Sequence, residues 1–454
     1  MVKNKMIIFI SILFISGFFL YNIIEKNKKI SNMLIFSLLL GIGYHTVFFI
    51  ILSLFNIYYF KSFFLITSIS IIILNLATPK YRLVLLKYEK DLKEIPIYYI
   101  LFIVYLLYRF YVITSTSLVN YYNWDEIAFY QFIPREIFFS HDFSRTYLLF
   151  APVNYFFAGM SFEFVDVTLQ GPRILGGILY VLIGLIIFIS LKNEKVNKHI
   201  AALLSMIFLI SSGEAFLYYR SFYNNVIYAV FLIAGLYYVL KHYFIDNKKT
   251  LPILGFVLIF FSVLTRREPI FHIIIFLFLL FIILIIQKKI TLKKSVILLT
   301  IPSLFGGLCA YISSIRLSDS VGPTVGQETV NMMTKFESEN LESFFNFTRL
   351  QYFSFNEHFC NYLMTISFII ALVLVIRNIW QYKKKKTDLD WFSIFAIVIQ
   401  LIYLAIVLAT MVALFTMREW LVAASFSRYM ISVFPINFII IGIMLFKNKK
   451  RKVI

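Results

Sequence analysis

The chain has few acidic residues, almost no cysteine and no long polar stretch, and each absence excludes a class of protein. Its 454 residues contain 23 acidic and 43 basic side chains, two cysteines (Cys309 and Cys360) and six scattered histidines. The cysteines provide neither a disulfide framework nor a metal-ligand spacing. No metal ligand is assigned, although a bound divalent metal stays open. No segment is polar enough for a separate soluble domain, and no Gly-rich strand-to-helix turn indicates a nucleotide-binding fold.

The chain is instead dominated by long apolar segments. Hydrophobic residues make up 61% of it, with a mean hydropathy of +0.84, whereas soluble domains contain about 45–50%. Runs of the ~17–25 apolar residues needed to cross a bilayer recur along the whole sequence. We predict an all-α polytopic membrane protein with about 13 transmembrane helices, at 6–24, 31–56, 61–78, 97–115, 171–191, 199–216, 222–240, 251–265, 269–286, 295–313, 361–376, 391–415 and 429–446.

The basic residues are sorted between alternate loops. Seven lysine-rich loops hold 28 of the 43 basic residues, and such residues accumulate on the cytoplasmic side of membrane proteins. The formal charge of +20 therefore needs no nucleic-acid partner. The pattern puts the N-terminus outside, although Lys3 and Lys5 fit that orientation of the first helix poorly. The predicted cytoplasmic loops are 25–30, 79–94, 192–198, 241–249, 287–294, 377–390 and the tail from Lys447.

Arginine has the opposite distribution. Only Arg82, Arg377 and Arg451 lie in the predicted cytoplasmic loops, whereas eleven arginines lie elsewhere. Lysine alone would satisfy the charge rule, so arginine on the far side suggests planar, bidentate binding of phosphate or carboxylate. The alternative for any single arginine is snorkelling at the interface or pairing with an acid.

Two adjacent carboxylates, Asp125 and Glu126, follow the fourth predicted helix. Ionisable groups at the mouth of a membrane helix are costly to place and are functional candidates, while helix capping is the structural alternative for Asp125. The pair lies in the first long outer loop, 116–170, where residues 126–139 have the spacing of an amphipathic interfacial helix. A second long outer loop spans 314–360. We therefore expect the chemistry on this side of the membrane.

Several motifs accompany the acid pair in a fixed order. Along the chain they are Trp124-Asp125-Glu126, Pro134-Arg135-Glu136, His141-Asp142, Pro152 to Tyr155, Gly171-Pro172-Arg173, Thr265-Arg266-Arg267-Glu268-Pro269 and Ser427-Arg428-Tyr429. This order resembles the polytopic GT-C glycosyltransferases, most closely the lipid-A aminoarabinose transferases, the protein O-mannosyltransferases and the bacterial enzymes of lipopolysaccharide biosynthesis. The resemblance covers residues 97–454 and leaves 1–96 as accessory N-terminal transmembrane helices. The chain departs from the group at Ala151-Pro152, where two prolines are usual.

The resemblance implies a chemistry that the residues also suit. Without a nucleotide-binding fold, a sugar donor must arrive in the membrane as a polyprenyl-phosphate or diphosphate sugar. Arg266, Arg267 and Arg428 are suited to its phosphate, and the resemblance assigns to Asp125 the general base that activates an acceptor hydroxyl for inverting attack. Glu126 stays open between a catalytic, acceptor-binding role and an ion pair. Further substrate-binding candidates, each with an ordinary structural alternative, are Trp124, His141, Asp142, Tyr155, Glu268 and Tyr429.

The predicted function is transfer of a sugar from a polyprenyl-phosphate donor to a glycan, lipid or protein acceptor of the cell envelope. One alternative is an O-antigen or polysaccharide polymerase or ligase, which also has many helices and a large outer loop. Another is a flippase or transporter of lipid-linked glycans, which would show inverted repeats and mid-membrane charges. The Ile-, Lys- and Phe-rich composition is associated with AT-rich bacteria. We therefore expect a multi-pass protein among the lipids of a bacterial plasma membrane, with an extracytoplasmic site.

Overall fold

The computed structural model describes residues 2–25, 29–55, 60–77, 95–116, 170–219, 224–265, 268–304, 359–384, 388–414 and 432–447. Within these ranges the chain is helical and contains no β-strand. A π-helical turn, Lys241–Ile245, follows α7, and residues 292–304 are also helical. The named α-helices are α1 (Val2–Ile24), α2 (Ile30–Leu54), α3 (Phe60–Ala77), α4 (Ile97–Thr116), α5 (Gln170–Asn193), α6 (Lys198–Tyr219), α7 (Asn224–Leu240), α8 (Ile253–Val263), α9 (Glu268–Ile286), α10 (Phe359–Lys383), α11 (Trp391–Leu414) and α12 (Pro435–Phe446).

The predicted apolar runs agree with these helices. Each run coincides largely with a described helix, although residues 432–434 of the last run form a turn and α10 continues to Lys383, into the predicted 377–390 loop. Five stretches are long and apolar enough to cross a membrane: Ile7–Ile24, Ile30–Leu52, Ile174–Asn193, Val226–Ile245 and Leu363–Lys383. Seven shorter apolar helices accompany them. The all-helical, membrane-embedded class is therefore confirmed, whereas the interfacial helix predicted at 126–139 and most of both long outer loops lie outside the described residues.

Several helices expose one apolar face and bury the other. On α4, Leu101, Tyr105 and Tyr108 are more than half exposed, whereas Tyr99 and Phe110 are buried. The exposed residues recur every three or four positions, which is the spacing of one face of a helix. An exposed apolar face of this length fits contact with lipid, and the buried face packs against the rest of the bundle.

Ring contacts show that consecutive helices run antiparallel. Tyr99 of α4 stacks on Phe188 of α5 at a centroid distance of 4.9 Å, and Phe110 of α4 meets Tyr180 of α5 edge-on at 5.8 Å. The residue order is reversed between the two helices, so the start of α4 lies beside the end of α5. The end of α5, the π-helical turn after α7 and Lys447 after α12 meet at one end of the bundle, which we call the lysine-rich end.

The first three helices pack closely on one another. A Cβ on Gly17 would lie 1.7 Å from the carbonyl oxygen of Ser37, and one on Gly41 would lie 1.9 Å from that of Leu13. Glycine lets the α1 and α2 backbones approach, as small residues do in membrane helix pairs. A buried histidine of α2, His45, adds contacts from its Nε2 to Ser16 of α1 at 3.0 Å and to Ser68 of α3 at 3.2 Å. Contacts of α2 with α5 and α8 join this group to the other helices.

Candidate functional site

The residues predicted to form the catalytic site lie outside the part of the chain that the structure describes, with one exception. Glu268 is the first residue of α9, directly after Arg266 and Arg267. Their proposed roles therefore stay predictions. The residues outside are Trp124, Asp125, Glu126, His141, Asp142, Tyr155, Arg266, Arg267, Arg428 and Tyr429.

The helix that precedes the acid pair ends far from the lysine-rich end. At its start, the Tyr98 hydroxyl lies 3.1 Å from Nδ1 of His199, in the first turn of α6, and α6 follows the lysine-containing turn after α5. The 20 residues of α4 rise by about 30 Å at 1.5 Å per residue. Thr116 therefore lies at the opposite end of the bundle, nine residues before Asp125.

The helices beside the predicted arginines lead away from the lysine-rich end. Leu254, at the start of α8, lines a cavity at the lysine-rich end, and Lys289, just after α9, donates a hydrogen bond to the Tyr243 carbonyl there. The end of α8 and the start of α9, which flank Arg266 and Arg267 in the sequence, therefore lie away from the lysine-rich end. Likewise α12 runs from Pro435 towards Lys447, so its start faces away from the lysine-rich end.

A buried carboxylate organises the lysine-rich end. Glu194 has 2% of its side chain exposed and contacts Lys241 at 2.9 Å and Lys447 at 2.8 Å. The Tyr237 hydroxyl donates a third contact to it at 3.3 Å. A buried carboxylate is stable only when it is paired and hydrogen-bonded. Glu194 thus links the ends of α5, α7 and α12.

Other residues of the predicted cytoplasmic loops join this cluster. Lys29 donates to Oδ1 of Asn193 at 3.2 Å. Lys289 lies 5.0 Å from the ring centre of Phe244, and burial lowers the pKa of its ammonium group. Phe244 also stacks on Trp391, which follows the 377–390 loop, at 6.3 Å. Six of the seven loops assigned to one side therefore meet at one end, and the seventh, 79–94, lies outside the described residues.

A cavity of about 490 Å³ opens beside the cluster. The start of α2, the ends of α1, α5 and α7 and the segment from Asp246 to Leu254 form its wall. Both signs of charge line it, together with amide, hydroxyl and apolar groups. Its charged and polar residues are Glu25, Lys29, Asn32, Asn193, Tyr237, Tyr238, Lys241, His242, Asp246, Lys248 and Thr250.

A second buried polar group lies among α7, α9 and α11. The Tyr228 hydroxyl is 2.5 Å from Nδ1 of His272, whose Nε2 is 2.9 Å from the Ile399 carbonyl oxygen. The ring of Tyr403 lies 5.0 Å from that of His272. Hydrogen bonds of this kind link helices within a membrane. With both ring nitrogens in contact with neutral groups, His272 has the environment of a structural residue.

The sequence predicted which loops share the lysine-rich end, but it did not identify Glu194 as the buried carboxylate between them. Glu194 is the single acid in a short lysine-rich loop, a signal that is visible in the sequence but easily taken for a solvated charge. Two ionisable residues within the predicted spans have different surroundings: His45 is buried among α1–α3, and Arg109 is exposed on α4. Within the described ranges, no three His, Cys, Asp or Glu side chains group as a metal site.

Comparison with protein families, with curated proteins and with solved structures found no match to this chain.

Proposed function

We propose that the protein is a membrane glycosyltransferase that transfers a sugar from a polyprenyl-phosphate donor to an extracytoplasmic acceptor of the cell envelope. In this proposal, thirteen helices cross a bacterial plasma membrane. The lysine-rich end faces the cytoplasm and the opposite end carries the chemistry. The ordered motifs that begin at Asp125-Glu126 are the sequence basis of the proposal.

The direction of the described helices supports the proposal. The helix ends nearest to the acid pair, to Arg266-Arg267 and to Arg428 all lie away from the lysine-rich end. Three helix ends that are distant in sequence therefore face in the same direction. A single site requires this common direction, because one donor headgroup must reach the acid pair, Arg266-Arg267 and Arg428 together.

The proposed reaction uses the two residue types for different tasks. The bond from the anomeric carbon to the phosphate oxygen breaks as the acceptor oxygen forms a new bond from the opposite face, so the configuration inverts. Asp125 takes the acceptor proton, a role that typically contributes a factor of about 10²–10⁴. Arg266, Arg267 and Arg428 stabilise the departing polyprenyl phosphate through charge-assisted hydrogen bonds.

The test is a reconstitution of the purified chain in liposomes with a panel of polyprenyl-phosphate sugars labelled in the sugar. We expect wild type to release polyprenyl phosphate and to transfer the label to an added lipid or glycan acceptor, or slowly to water. Asp125→Asn should release far less. The matched control is Asp388→Asn, which removes an exposed carboxylate before α11.

The products separate the alternatives. Oligomers of graded length would replace the single-transfer proposal by a polymerase. Movement of uncleaved donor between leaflets, unaffected by Asp125→Asn, would favour a flippase. Equal release by wild type and Asp125→Asn would remove the catalytic role of that carboxylate.

A further inference from the structure

The cavity at the lysine-rich end has the size of a ligand site. Its volume of about 490 Å³ lies within the ~300–1,000 Å³ of small-molecule pockets. Ile24 and Asn32, from the first two helices, form part of its wall, and Tyr238 and Leu254, from α7 and α8, form another. It is therefore a cleft between elements rather than a packing defect inside one helix pair.

One wall residue has hydrogen-bonding capacity that the protein does not use. Asn32 is 3% exposed, and its Oδ1 accepts no hydrogen bond from the residues that the structure describes. A buried amide oxygen without a partner has lost its hydrogen bonds to water and gained none in exchange. A hydroxyl group of a bound ligand could donate to this oxygen.

The charged groups of the wall also point to a specific ligand chemistry. Lys241 is already engaged by Glu194 and Asp246. Lys29 contacts a neutral amide oxygen, and Lys248 is 3.8 Å from Asp246 with 58% of its side chain exposed. These two ammonium groups suit an anion, while the carboxylates of the wall suit hydroxyl donors. A purely anionic or purely cationic ligand fits this mixture less well.

One edge of the cavity is apolar and open. Leu251 is 37% exposed and Ile253, the first residue of the apolar helix α8, is 52% exposed. The beginning of an apolar helix marks the depth at which lipid headgroups lie. A ligand with an apolar chain could thus enter along this edge while its polar part stays in the cavity.

We propose that this cavity binds a hydroxyl-bearing phosphate ester, presented as the headgroup of a membrane lipid. The phosphate lies against Lys29 and Lys248, the hydroxyls reach Asn32 and the wall carboxylates, and the chain follows Leu251 and Ile253. The site lies at the lysine-rich end and does not depend on sugar transfer.

The test measures lipid binding to the purified full chain in detergent by native mass spectrometry. Phosphatidylglycerol supplies a phosphate with two hydroxyls, and phosphatidylcholine of the same acyl chains supplies a phosphate without them. We expect tighter binding of phosphatidylglycerol. Lys29→Gln and Lys248→Gln should each weaken it by about tenfold, the value of one charge-assisted hydrogen bond. Soluble glycerol phosphate, added as a competitor, distinguishes a soluble ligand from a lipid. Effective competition indicates that the site binds a free phosphate ester, and absence of competition indicates that it binds the lipid.

Asn32→Leu separates a ligand role from a structural one. It keeps a similar side-chain volume and removes the unpaired amide, so the lipid-free protein should unfold at the same or a higher temperature while phosphatidylglycerol binding weakens. Lys293→Gln, an exposed lysine that does not line the cavity, is the charge-matched control and should bind as wild type does. Equal binding of the two lipids by wild type, or wild-type affinity in both Lys248→Gln and Asn32→Leu, would overturn the proposal.

Discussion

The buried Glu194 cluster predicts that Glu194→Gln changes stability in opposite directions in wild type and in a variant that lacks the two lysine partners. Glu194 is 2% exposed, whereas the side chains of its partners Lys241 and Lys447 are 23% and 34% exposed. The carboxylate therefore depends on the two ammonium groups more than they depend on it. Lys241 also keeps a second partner, Asp246, at 2.8 Å.

The expected magnitudes follow from which charge is left buried. Removing one partner of a fully buried pair costs about 3–5 kcal/mol. Glu194→Gln leaves two lysines that can reach water, so we expect a loss of about 1–3 kcal/mol. Lys447→Gln leaves Glu194 with Lys241 and should cost about 0.5–1.5 kcal/mol. Replacing both lysines leaves a buried carboxylate without a cation and should approach the full ~3–5 kcal/mol.

The change of sign is tested by comparing the Lys241→Gln/Lys447→Gln double variant with the triple variant that also carries Glu194→Gln. In wild type, Glu194→Gln lowers stability, but in the Lys241→Gln/Lys447→Gln background it removes an uncompensated charge and should raise stability. The assay is the midpoint of thermal unfolding in detergent micelles for wild type and these four variants. Asp388→Asn, which removes an exposed acid, is the control and should leave the midpoint unchanged. A Glu194→Gln effect of the same sign in both backgrounds would refute the pairing argument.

Three further predictions concern packing and topology. Gly17→Ala should lower the unfolding midpoint, because its Cβ would lie 1.7 Å from a carbonyl oxygen of α2 and such overpacking costs about 1–3 kcal/mol; a wild-type midpoint would contradict this close approach. Tyr228→Phe removes the 2.5 Å contact to His272 and should cost about 0.6–1.7 kcal/mol in the same assay, with the sugar-transfer rate unchanged; a lost rate would make the pair functional. In a chain without its native cysteines, Lys293→Cys and Ser140→Cys should react with an impermeant maleimide from opposite sides of the membrane, and labelling from one side would contradict the topology.

The helices were predictable because each depends on local composition. A run of about 17–25 apolar residues determines a membrane helix almost by itself. Most described helices end within a few residues of the predicted runs, but α10 continues to Lys383, beyond the predicted end at 376. Charge sorting is also local, so it predicted which loops share a side. Residues from loops 25–30, 192–198 and 241–249 do meet at one end of the bundle.

The contacts inside that end were not predictable from the sequence. Glu194 and Lys447 are separated by 253 residues, and neither residue type nor local spacing identifies them as partners. The cavity has the same origin, since its wall combines the ends of five helices. The catalytic residues differ again: Asp125 and the arginines were inferred from the order of motifs, and they lie outside the described residues, so their roles rest on chemistry and on the direction of the flanking helices.

The central claim is that Asp125 is the base of a sugar transfer at the end opposite the lysine-rich cluster. The most direct measurement is the single-turnover rate of polyprenyl phosphate release from a labelled polyprenyl-phosphate sugar, compared between wild type and Asp125→Asn at equal donor occupancy. The account predicts a rate lower by about 10²–10⁴ in the variant. Equal rates, with donor bound equally by both, would contradict it.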